Sequence, residues 1–160
     1  MRWSKLKQRI EGNFAPEIAD RVDVHLTRHR GSHDAEQHGR ILVDGELWFD
    51  ACVFKHSAKT LGVVERETGI ASLGLLKEHP EVTDEVKNAG FLPGWQFPQL
   101  LFDFLNTPIA DALVAKEPLT RILAVLDARV GTRTLAKLQD SWDFALPERR
   151  FLDLRTSSKF

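Results

Sequence analysis

The chain has 160 residues, 42% of them hydrophobic and 28% charged, with a formal net charge of −1. These values fit one domain with its own core, and they exclude a disordered chain and a strongly basic nucleic-acid binder. A single cysteine excludes an internal disulfide and a cysteine-cluster zinc fold, and no apolar run approaches the ~20 residues that a membrane-spanning helix needs.

Residues 3–13 predict a helix capped by Ser4, with Leu6 and Ile10 on one face and Arg2, Lys5 and Arg9 on the other. Its basic start has no apolar stretch behind it, so it reads as a surface helix rather than a secretory signal. From Arg21 to Arg30, Val22, Val24 and Leu26 alternate with Asp23, His25, Thr27 and His29, the period of a half-buried strand. In "RILVDGELWFDACVF" the Asp44-Gly45 pair separates two β-rich runs and predicts a two-residue hairpin turn, because both residues tolerate positive φ. A three-stranded antiparallel sheet over about 21–30, 40–43 and 46–54 follows. Cys52, inside the third apolar run, reads as an inert buried thiol.

Residues 57–81 fit neither a helix nor a strand cleanly. Thr83 is expected to cap a helix over 84–89 that stops at Gly90. "FLPGWQFP" is a connector, and the Phe97–Pro98 bond is open to either isomer. Pro98, Pro108, Pro118 and Pro147 suit first-turn positions, with Thr107 and Thr132 as further caps. They predict helices near 98–105, 108–115, 118–129, 133–140 and 147–156. The expected architecture is a single α+β domain over 1–160: an N-terminal helix, the sheet, then a layer of about five helices.

Three blocks carry a resemblance: "RWSKLK" at the start, the "TRHR…GR…VDG" hairpin, and "LDARVGTRTLAKL" with "RRFLDLR" near the end. Together they resemble a family of conserved bacterial proteins of unknown function, over most of the chain. The resemblance implies a standalone cytoplasmic bacterial protein and brings no substrate, cofactor or catalytic residue with it.

Residues 25–43 hold four histidines and three arginines. His33, Asp34 and His38 are of ligand type for a transition metal, and a short helix from Ser32 to Gly39 would set Asp34 and His38 four apart on one face. The same spacing suits a polar hairpin tip, in which both residues answer the helix dipole. Arg28 and Arg30 share a strand face, and Arg40 comes from the neighbouring strand. Their convergence would favour a bound phosphate or carboxylate, unless they pair with nearby acids. In "LDARVGTRTLAKL", Leu126, Val130, Leu135 and Leu138 look like core positions around Gly131. There Arg129 and Arg133 could border an anion at the next helix's N-terminus, or Asp127 could clasp an arginine.

No nucleophile elbow, Cys–His signature or dinucleotide fingerprint is present. The expectation is therefore a non-enzymatic, cytoplasmic binding module without a cofactor. Its arginine edge (Arg28, Arg30, Arg40, with Arg129 and Arg133 as a second part) would contact an acidic protein or a phosphate-bearing ligand. The alternatives are a metal-dependent hydrolase or phosphodiesterase using His33, Asp34 and His38, and a weak nucleic-acid binder.

Overall fold

A computed structural model describes residues 1–28, 37–143 and 145–158. Helix α1 (Trp3–Glu11) buries Leu6 and Ile10 and turns Arg2, Lys5 and Arg9 outward. The i,i+4 apolar spacing decides the buried face, while Arg2 rather than Ser4 takes the cap position, and no side chain caps the helix.

The sheet holds β1 (Val22–Arg28), β2 (Gln37–Val43) and β3 (Glu46–Ala51) in sequence order, all antiparallel. Asp44 and Gly45 join β2 to β3 with φ of 52° and 81°, the left-handed pair that a type I′ turn requires. Arg21 steadies this turn by donating from Nη2 to Asp44 Oδ2 at 2.6 Å. β2 begins three residues before the expected strand. β3 stops three residues early because a helix starts at Val53.

That helix, α2 (Val53–Thr68), settles the ambiguous segment. Thr60, Val63 and Val64 form its buried stripe against Val82 and Val86 of α3 (Pro80–Asn88), a small cluster apart from the main core. A 3₁₀ turn at Leu73–Lys77 links them. Pro80 in the first turn starts α3 four residues before the expected position, which leaves Thr83 inside the helix rather than capping it.

Five helices complete the chain: α4 (Phe97–Leu105), α5 (Ile109–Leu113), α6 (Pro118–Leu126), α7 (Thr132–Ser141) and α8 (Arg149–Ser157). No cis peptide bond occurs among the described residues, so Phe97–Pro98 is trans. Every residue of α6 except Arg121 is buried, so this helix is the hydrophobic centre on which α4, α5 and α8 pack. The sheet contributes Val22, Val24, Ile41, Val43, Phe49 and Ala51 to the same core. Phe97 lies over Gly39 so closely that a Cβ there would fall 2.0 Å from the ring. At Gly94 the backbone approaches Gln37 O closely enough that a Cβ would sit 1.4 Å from it. These two glycines let the α4 segment seat on the sheet.

No described helix is long and apolar enough to cross a membrane.

Candidate functional site

The strand register separates the hairpin arginines. Arg28 stands opposite Gln37, whereas Arg40 stands opposite His25 on β1 and Asp50 on β3. Cross-strand partners share a face and neighbours alternate, so the odd parity between positions 25 and 28 puts Arg28 and Arg40 on opposite faces. The expected convergence of Arg28 with Arg40 is therefore not made, and Arg30 lies outside the described residues.

Arg40 keeps local company. Its Nη2 is 3.3 Å from His38 Nδ1, and His38 Nε2 is 3.6 Å from the sulfur of buried Cys52. His38 belongs to β2, so the expected short helix does not reach it. His33 and Asp34 lie outside the described residues, among which no group of three or more His, Cys, Asp and Glu side chains is placed to hold a metal.

Arg129 is held more firmly. Asp127, only 1% exposed at the end of α6, accepts hydrogen bonds from Arg129 N at 2.8 Å, Nε at 2.9 Å and Nη2 at 2.8 Å. The buried carboxylate pushes the Arg129 guanidinium further up from its ordinary value. This is the clasp anticipated as one use of "LDAR". The chain end of α1 is stitched to it by main-chain bonds: Ala15 N–H donates to Leu126 O at 2.9 Å and Ala128 N–H to Asn13 O at 2.8 Å. Arg9 and Arg129 thereby border one surface cavity of about 380 Å³, completed by Gln8, Gly12, Asn13 and Leu105. Among the described residues no acidic one lines it. Arg133, exposed on the first turn of α7, stands four residues beyond Arg129 outside this lining.

A second, larger cavity of about 730 Å³ lies where α3, the segment between α5 and α6, and the segment between α7 and α8 meet. Its charged lining includes Lys87, Lys116, Glu117, Arg121 and Glu148, beside the indole of Trp142. Glu148 is wholly buried, and its Oε1 accepts from Arg121 Nε at 2.6 Å. Arg121 Nη1 donates to Ala115 O. The other carboxylate oxygen of Glu148, Oε2, is buried without a hydrogen-bond partner among the described residues. Glu117 caps α6 by accepting from Thr120 N–H at 2.8 Å. Burial pushes its carboxyl above the usual range, against that capping bond and the nearby Lys87.

A protein-family model matches residues 2–156. The chain belongs to the SF0329 protein family. That span bears out the family resemblance carried by the start, the hairpin and the "LDARVG" block. The family's description states no activity, substrate or cofactor. No curated protein and no solved structure matches the chain.

Within this family member, sequence reading picked out Arg129 and its acid but missed Arg9 as its neighbour and the whole Arg121–Glu148 cavity. Arg9 was visible only as one of several cations on a helix face. The Glu117-Pro118 pair ahead of an apolar run was a legible helix start. Nothing local joins Arg121 to Glu148, 27 residues later.

Proposed function

We propose that this SF0329 family member is a non-enzymatic binding module that receives an anionic group, phosphate or carboxylate, on the basic corner formed by Arg9 and Arg129. Arg133 follows four residues after Arg129, exposed in the first turn of α7. One observation carries the reading: a buried aspartate fixes the Arg129 guanidinium beside a second arginine, in a cavity lined by no acid among the described residues. A guanidinium held in advance loses little side-chain freedom on binding, and with Nε and Nη2 bonded to Asp127 its Nη1 would meet the carboxylate or phosphate oxygen. The arginine edge inferred from the sequence thus moves from the hairpin to the junction of α1 with the corner after α6. A bacterial cytoplasmic setting belongs to the same proposal, and a lone reduced thiol at Cys52 suits it.

Titration with inorganic pyrophosphate and with a short poly-glutamate peptide tests the proposal, at two salt concentrations. Binding of either probe should weaken as salt rises, and Arg9→Gln should reduce it about tenfold, the size of one lost charged hydrogen bond. Arg133→Gln should reduce it less. Absence of binding by both probes, or binding that Arg9→Gln leaves unchanged, rejects the assignment.

A further inference from the structure

We propose that the cavity around Glu148 is a second binding site, distinct from the basic corner, and that it takes a small molecule bearing a protonated primary amine. Arg121, the cation deepest in the lining, spends Nε on Glu148 Oε1 and Nη1 on the Ala115 carbonyl. Glu148 Oε2 remains a buried acceptor with nothing donating to it among the described residues, on a side chain that is 0% exposed. A buried carboxylate oxygen left without a donor is costly, and an ammonium N–H is the strongest partner available to it. An anionic ligand would instead meet the free oxygen of a carboxylate.

Three further features agree. Trp142 lines the same cavity, and an indole is the aromatic group that attracts cations most strongly. Glu117, which already accepts from Thr120 N–H, adds a further carboxyl oxygen to the lining. The volume of about 730 Å³ lies within the range of small-molecule sites, and Leu113, Val114 and Leu146 supply apolar wall for a carbon skeleton. Lys116 and Asp84, both exposed, stand at the outer part of the lining. A ligand with its amine at Glu148 could set a carboxylate against Lys116, so an amino acid of the γ-amino type fits better than a bare diamine.

The test compares three probes of one carbon length on the intact protein: n-butylamine, γ-aminobutyrate and butyrate. Binding is read by thermal shift and by the tryptophan fluorescence change that disappears in Trp142→Phe. Both amines should bind saturably, γ-aminobutyrate more tightly, and butyrate should not. Glu148→Gln preserves an oxygen for Arg121 and replaces the free acceptor by an amide N–H, so it should weaken amine binding at least about tenfold. Arg9→Gln should leave it unchanged, which separates this site from the basic corner. Should Glu148→Gln fail to fold, Val114→Lys decides. Val114 is 79% exposed, so a cation placed there spares the core and should repel the amine. Equal binding of butyrate and the amines overturns the proposal. So does the absence of saturable binding, or amine affinity unchanged by whichever variant folds.

Discussion

Arg155, 3% exposed on α8, donates from Nη2 to the carbonyl oxygen of Val130 at 3.0 Å. Its Nε donates to Val125 O at 2.9 Å, and Nη1 pairs with Glu17. One guanidinium thus satisfies the end of α6, the corner after it and an acid from the segment before β1. No other side chain type offers that many donors in a planar fork.

Arg155→Ala should therefore destabilise the fold by about 3–5 kcal/mol, because it strands two carbonyls and one acid at once. Arg155→Lys keeps the charge but loses the fork, and about 2 kcal/mol is expected. Urea unfolding midpoints measure both. A lysine variant as stable as wild type would show that the charge alone matters.

The seat of α4 on the sheet gives a second expectation. Gly39→Ala would put a methyl group 2.0 Å from Phe97 Cγ, and Phe97 is wholly buried, so the ring cannot swing into solvent. A loss of roughly 2–3 kcal/mol is expected from overpacking. Pairing the change with Phe97→Leu should recover part of it, since the smaller side chain vacates the space above residue 39. Thermal unfolding of the three variants checks this; a silent Gly39→Ala would mean that α4 is less tightly seated.

The third prediction concerns pH. Burial raises the Glu117 carboxyl above its ordinary value of 4.5 in the folded state. Between 4.5 and that raised value the folded chain holds a proton that the unfolded chain has released. The associated stability is fully present below 4.5 and is lost as pH rises through the folded value. Glu117→Gln removes the titration, so its stability relative to wild type should improve as pH rises from 4.5 through the raised folded value and then level off. Any constant difference from the altered helix cap shifts the curve without changing its slope. Chemical denaturation at a series of pH values reads the difference, and parallel curves would refute the assignment.

What was legible in the sequence follows from how local each signal is. Asp44-Gly45 specified its turn because the two residues themselves carry the required backbone geometry. The apolar spacing of Leu6 and Ile10 gave α1 its buried face, and the prolines in the first turns of α4 and α6 marked those starts. Helix α2 was hidden because Val53, Val63 and Val64 are β-branched and Gly62 interrupts the pattern; its helical stripe depends on Val82 and Val86 waiting in α3. The expected convergence of Arg28 with Arg40 failed by parity. A strand face is set by pairing register, and a shift of one residue reverses it, so "Arg28, Arg30, Arg40" could not be resolved by counting along the chain. A clasp between Asp127 and an arginine was legible, but which arginine was not; Arg129 takes it, and Arg9 joins them only through the stitching of Asn13 and Ala15 to the end of α6.

That stitching has a consequence for the order in which the protein can be made. Phe14 bridges Asp127, Glu17 meets Arg155, and Arg21 reaches Ser158 across 137 residues of chain. During synthesis from the N-terminus, the first helix and the sheet leave the ribosome well before the helix that fills their core. Until α6 and α8 have followed, Ile10, Val24 and Ile41 have no permanent cover, and the nascent chain carries an exposed apolar sheet. Chaperone dependence during translation should consequently end late, when the last few turns of helix are released.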